Sequence, residues 1–190
     1  MPRPIPVETR DWVELVIADN IDDLLRYFRR RVDQPEDASD LLGYVLLALW
    51  ENGARVPASD TEARMWCFGI ARNVLREHYR HSIKRIALAD QLRDHLRDSA
   101  SPDNAAETTV IAQDRGRLIR EAVRSLDDRS RDLVTLVHWD GFTIAEAARV
   151  LRINESTART RHARALKRLE KSLCDDLENL APLQSDTAAS

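Results

Sequence analysis

The sequence predicts an all-α protein, built as two small helical domains joined by a flexible linker. Three observations carry that expectation. Apolar residues recur three and four apart along most of the chain, the period of an amphipathic helix, with little of the alternation that marks a strand. Glycine and proline, 5 and 7 of 190 residues, are too few to punctuate the many turns of a β protein. Helix start and stop signals are confined to a few points, and these cut the chain into long segments.

The first segment runs from Thr9 to Val32. Trp12, Leu15, Val16, Ile21, Leu24, Leu25 and Phe28 recur at helical spacing, with a break expected near Asp19-Asn20. Arg29-Arg30-Arg31 closes it, where cations complement the helix dipole. Pro35 is tolerated as a first helical residue and opens a second helix that runs to Trp50. Leu41, Leu42, Val45, Leu46, Leu49 and Trp50 form its inner stripe, while Tyr44 and Leu47 lie off it and suggest a second, partner-facing surface. Glu51 to Asp60 reads as a polar loop with Gly53 and Pro57. Ser59 and Glu62 have capping-box spacing for a long helix from Thr61 to about Arg85. Met65, Trp66, Phe68, Gly69, Ile70, Val74 and Leu75 supply its buried side. Its later part is strongly basic: Arg72, Asn73, Arg76, His78, Arg80, Lys84 and Arg85 are opposed by Glu77.

Ile86 to Arg97 is compatible with continued helix, whereas Asp98-Ser99-Ala100-Ser101-Pro102-Asp103-Asn104 is loop chemistry. This acid-rich stretch is not itself a duplex-binding surface. A helix from Ala105 to Ser125 is expected to end at Leu126-Asp127-Asp128, and another to run from Arg129 to about Trp139 with Leu133, Leu136 and Val137 inward. The expected organisation is a first domain over 9–85, a linker over 86–107, a second domain over 108–174 and a tail over 175–190, disordered after Leu180.

The second domain closes on Gly141 to Lys171, which reads as a short helix, a tight turn and a longer helix. Thr143 and Glu146 are a capping box. Ala147, Ala148 and Leu151 form the inner face, the two alanines small enough to admit a close neighbour. Arg152-Ile153-Asn154 is the turn, and Asn154 is a good N-cap for the longer helix. In that helix Ala158, His162, Ala165, Leu166, Leu169 and Leu173 share one arc. Ser156, Thr160, Arg164, Lys167 and Lys171 share the opposite one, flanked by Arg159 and Arg161. Hydroxyls and cations on one face, with no bulky apolar side chain among them, are what a DNA-recognition helix presents. A merely solvated face has the same composition; the capped helix and turn in front favour the helix-turn-helix.

The formal net charge is −3, so affinity for nucleic acid has to come from uneven distribution, here a basic surface in each domain. No stretch is apolar for long enough to span a membrane, and MPRPIPVETRDW lacks the apolar core of a signal peptide, so a cytoplasmic location is expected. Cys67 and Cys174 are far apart, and the five histidines do not fall into ligand spacing with them. Neither a metal site nor a disulfide is expected, and no cofactor. Cys67, between Trp66 and Phe68, reads as a small buried hydrophobe. Paired carboxylates, a nucleophile motif and a phosphate loop are all missing, which argues against an enzyme.

Asp37-Ala38-Ser39-Asp40-Leu41 running to Ala48-Leu49-Trp50, then Trp66 followed by Ile70-Ala71-Arg72-Asn73, resembles the helical core of the second sigma domain. Leu126-Asp127-Asp128-Arg129-Ser130-Arg131, then Gly141-Phe142-Thr143 and Glu155-Ser156-Thr157-Ala158-Arg159-Thr160-Arg161, is similar to the fourth. Together, from about Ile21 to Leu173, the chain resembles an extracytoplasmic-function sigma factor of bacterial RNA polymerase. The resemblance implies that Ser156, Thr157, Arg159, Thr160, Arg161 and Arg164 meet the upstream (minus thirty-five) promoter element. It implies that the loop Asn52 to Ser59, with Asn52 and Arg55, holds an extruded base of the downstream (minus ten) element. Arg72, Asn73, Arg76 and Arg80 would track the backbone there. Asp37, Asp40, Leu41, Tyr44 and Leu47 would bind core RNA polymerase, and the linker would thread toward the polymerase active-site channel. Promoter DNA and core polymerase are the implied partners, with an anti-sigma factor as a third that the apolar surface of the second helix would suit. No membrane insertion is implied.

Three departures from the family pattern stand out. Gly43-Tyr44 stands where a Gln-acid pair is usual, Arg152 where the turn normally has glycine, and His162 where leucine is usual. The Gly43-Tyr44 departure keeps open an alternative, a stand-alone helix-turn-helix regulator that does not bind core polymerase.

Overall fold

The computed structural model describes residues 7–32, 34–96 and 111–180. The expected loop at 98–104, the helix start at Ala105 and the disordered stretch after Leu180 lie outside the described residues. Seven α-helices are present among them: α1 (Val7–Arg29), α2 (Pro35–Glu51), α3 (Asp60–Leu96), α4 (Ile111–Arg124), α5 (Asp128–His138), α6 (Ile144–Leu151) and α7 (Glu155–Leu180). A single 3-10 turn, Gly53–Arg55, sits between α2 and α3, and no strand occurs among the described residues. The chain divides into two units, Met1–Ser101 and Pro102–Ser190.

In the first unit α1 packs on both α2 and α3, and α2 on α3. The expected break near Asp19-Asn20 does not occur. Asn20 is buried, and its Nδ2 donates to the Val16 carbonyl at 2.9 Å, so the amide is satisfied inside a continuous helix. Its Oδ1 accepts from Arg64 at 3.4 Å, and the same guanidinium pairs with Asp23. Burial works to raise the Asp23 carboxyl, but hydrogen bonds and charge from Arg64 and Arg26 outweigh it and hold the group below the usual carboxylate range. Leu24, Tyr27 and Phe28 of α1, Leu41, Val45 and Leu49 of α2, and Cys67, Phe68 and Leu75 of α3 form the core. Tyr27 meets Phe28 and Phe68 edge-on, with ring centroids 5.3 and 5.5 Å apart, the favoured aromatic geometry. Cys67 is fully buried as expected, and burial pushes its thiol up to about 12. Helix α3 continues past Arg85 to Leu96 and so takes in the first part of the expected linker.

The second unit is the four helices α4 to α7. Asp127 caps α5, its Oδ1 accepting from Ser130 N–H at 3.1 Å. Arg131 turns back to donate to the carbonyls of Val123, Arg124 and Leu126, satisfying acceptors that the end of α4 leaves open. Gly141, at φ +76°, makes the turn toward α6 in a conformation glycine adopts freely. Leu133, Val134 and Leu136 of α5, Ala147 and Ala148 of α6, and Ala158 and Ala165 of α7 are buried together with Phe142. The two α6 alanines are at the packed face the sequence assigned them. Leu166 is not: it is 38% exposed, one step round α7 from the buried Ala165.

Candidate nucleic-acid interface

Helix α6 starts at the expected capping box. Thr143 Oγ1 accepts from Glu146 N–H at 3.2 Å, and Glu146 Oε2 accepts from Thr143 N–H at 2.8 Å. It ends with Arg152 in the left-handed region, φ 55° and ψ 47°. Arg152 N–H donates to the Arg149 carbonyl at 3.1 Å and Ile153 N–H to the Ala148 carbonyl at 3.0 Å, the Schellman pattern. Asn154 then accepts from Ser156 N–H at 2.9 Å and so caps α7. The direction of α7 is therefore set by two local caps and one left-handed residue.

Buried Ala158, His162 and Ala165 fix which side of α7 faces the unit. Ser156, Thr157, Arg159, Thr160 and Arg164 are exposed on the other, and Arg161 is half-buried at its edge. The hydroxyls are not idle. Ser156 Oγ donates to Asn154 Oδ1 at 2.8 Å, and Thr160 Oγ1 donates to the Ser156 carbonyl at 3.1 Å. The cations are held as well. Arg159 Nε donates to Glu155 at 3.0 Å, one helical turn back, and Arg161 Nη1 lies 3.3 Å from Asp127 Oδ1 at the start of α5. A hydrogen bond from the Ser130 side chain, with Ser130 N–H and the Arg161 charge, holds the Asp127 carboxyl below the usual range. Asp127, Ser130, Arg161, Arg164 and Arg168 share an open groove of about 520 Å³ with Ser156 and its neighbours on α7. Sequence reasoning missed Asp127, Ser130 and Arg168. Asp127 and Ser130 stood only within the stretch that resembles the fourth sigma domain, and the partner of Asp127 lies on another helix.

In the first unit, Arg72, Asn73, Arg76 and Arg80 fall within one arc of α3 at about 100° per residue, away from buried Ala71 and Leu75. Asn73, Arg76 and Arg80 are exposed, and Arg80 pairs with Glu77. Asn52 ends α2, its Nδ2 donating to the Ala48 carbonyl at 2.8 Å, and exposed Arg55 lies in the 3-10 turn. That loop is anchored from α1: Trp12 Nε1 donates to the Pro57 carbonyl at 3.0 Å. On α2, Asp40, Tyr44 and Leu47 are exposed along one face, the last two at 63% and 56%, with Asp37 beside them near His78. The expectation for Leu41 is corrected. It is 3% exposed and packs into the core, so it presents no surface to a partner.

The Sigma-70 region 2 family matches residues 16–85, and the Sigma-70 region 4 family matches residues 116–169. SigF of Caulobacter vibrioides, an ECF RNA polymerase sigma factor, is 31% identical over 157 residues, which is 79% of this chain and 79% of that one. The chain belongs to the ECF RNA polymerase sigma factors. The ECF sigma factor BldN of Streptomyces coelicolor is 27% identical over 155 residues, 82% of this sigma factor and 58% of that protein. Among solved structures, the sigma factor RpoE of Bartonella quintana, seen in complex with the anti-sigma factor NepR, superposes with a TM-score of 0.58 at 22% identity. The match covers 87% of this chain and 96% of that one, which shows a shared fold. A region 2 match beside the helix-turn-helix argues against the stand-alone regulator. No described helix is long and apolar enough to cross a membrane.

Proposed function

We propose that this sigma factor binds core RNA polymerase, recognises promoter elements and initiates transcription of a specific gene set. The observation that carries the reading is the presence of region 2 and region 4 matches in order on one chain. In this reading 9–85 is the polymerase-binding and minus-ten domain, 86–107 the linker, 108–174 the minus-thirty-five domain and 175–190 a tail. Ser156, Thr157, Arg159, Thr160 and Arg164 address the upstream element from the exposed side of α7, with Arg161 at its rim. Asn52, Arg55, Arg72, Asn73, Arg76 and Arg80 address the downstream element, where a base taken out of the stack is held beside a cationic helix. Opening the duplex then results from binding the separated strand better than the paired one, so the protein acts by binding in the cytoplasm and needs no catalytic residue. Asp37, Asp40, Tyr44 and Leu47 are the proposed polymerase face, and an anti-sigma factor is a further proposed partner.

The test is co-elution with purified core polymerase on a sizing column, followed by transcription from a genomic fragment library. Co-elution with promoter-dependent transcripts is expected. A folded protein that elutes apart from core enzyme would overturn the reading.

A further inference from the structure

Resting on the reading that α7 faces DNA, we propose that Asp127 is a brake on sequence-independent DNA affinity, withholding Arg161 from the phosphates. Three features of the second unit support it. Asp127 is fixed in place, because its Oδ1 already caps α5 through Ser130 N–H at 3.1 Å. The same oxygen lies 3.3 Å from Arg161 Nη1, although the two residues come from different helices. The Arg161 side chain is 29% exposed, against 66% for Arg159, so it lies down in the groove wall rather than standing on the open face of α7.

The consequence is electrostatic. Arg164 and Arg168 line the same groove and would draw a phosphate toward it. A carboxylate fixed among these cations cancels one charge and repels the incoming phosphate. A phosphate contact carries no base information, so each one withheld lowers affinity for all DNA alike. Arg161 therefore differs from Arg159, whose partner Glu155 lies on α7 itself: it is held from the start of α5, by Asp127.

Asn and Ser cap helices nearly as well as Asp but carry no charge, so Asp127→Asn and Asp127→Ser separate the brake from the cap. The probe is a fluorescently labelled, mixed-sequence DNA duplex, titrated with the full chain at several salt concentrations. Circular dichroism confirms the fold of each variant. Both variants are expected to bind about two- to fivefold more tightly at low salt, the worth of an exposed ion pair. The slope of log K against log salt should steepen by about 0.9, one added phosphate contact. Adding Arg161→Ala to Asp127→Asn should cancel the gain. Unchanged or weaker binding by folded Asp127→Asn overturns the brake. Arg164→Ala separates the two levels: if it weakens binding while Asp127→Asn does nothing, the brake fails and the α7 interface stands. If neither variant alters binding, both fail.

Discussion

The Nε2 atoms of His138 and His162 lie 3.0 Å apart, joining the last turn of α5 to the packed side of α7. The rings are within 13° of parallel, but their centroids are 5.1 Å apart. A nitrogen separation so much shorter than the centroid separation means that the rings meet edge to edge, with one Nε2 donating to the other. Such a pair accommodates one proton between its nitrogens and not two. A second proton would set two N–H groups against each other.

Burial first, and the neighbouring His138 second, depress the pKa of His162 below its usual value. As pH falls through about 6.5, the unfolded chain therefore takes up a proton that the folded one resists. The stability of the second unit is thus full above that pH and is lost as pH drops toward the folded-state value. Thermal melts from about pH 7.5 down to pH 5.5 should show a melting temperature falling by a few degrees. His162→Leu should flatten that dependence. A wild-type melting temperature constant over this range would refute the linkage.

Arg152 holds φ 55° at the end of α6, where a side chain crowds its own carbonyl oxygen. The left-handed conformation costs a non-glycine residue about 1–2 kcal/mol. Replacement by glycine gives back roughly 0.5–1 kcal/mol of that through the greater freedom of the unfolded chain. Arg152→Gly should therefore stabilise the protein by up to about 1 kcal/mol, read as a raised urea midpoint. A lowered midpoint would mean that the arginine side chain contributes more than its backbone costs.

What was legible in the sequence is what is local. Pro35 at the start of α2, the Thr143–Glu146 capping box, the Asn154 cap and the turn at Arg152 each depend on residues within a few positions of one another. The contacts that shape the site were not legible, because their partners are remote. Asp127 meets Arg161, His138 meets His162 and Trp12 meets Pro57 across 34, 24 and 45 positions. Spacing along one helix carries no information about what another helix brings. Asn20 misled for the same reason: a polar residue within an apolar run reads as a break until its i−4 carbonyl and Arg64 are seen to satisfy it. Leu41 was legible as core from its stripe, and its assignment to a partner surface came from resemblance alone.

Trp12 ties the loop after α2 to α1 through its indole N–H and the Pro57 carbonyl. Trp12→Phe keeps a ring at the site and removes that one donor. The lost hydrogen bond should cost about 1 kcal/mol, small enough for the unit to stay folded. If the loop holds an unstacked base, loosening it should reduce strand opening, read as permanganate reactivity of promoter thymines, while association with core polymerase is unchanged. Wild-type reactivity in this variant would remove the loop from strand capture.

The α2 surface separates packing from partner contact along a single helix. Tyr44 and Leu47 are more than half exposed, so truncating either to alanine should shift stability by no more than about 0.5 kcal/mol. Leu41, facing the core, should cost about 2–5 kcal/mol on the same change. Association with core polymerase should show the opposite order. Tyr44→Ala and Leu47→Ala should weaken it with the melting temperature preserved, and Leu41→Ala should weaken it only in proportion to unfolding. Because Gly43-Tyr44 replaces the polar pair usual in the family, an apolar Tyr44–Leu47 contact would also make the interaction less sensitive to salt than an ion-paired one. Equal affinity of Tyr44→Ala and wild type for core enzyme would place the polymerase face on another helix.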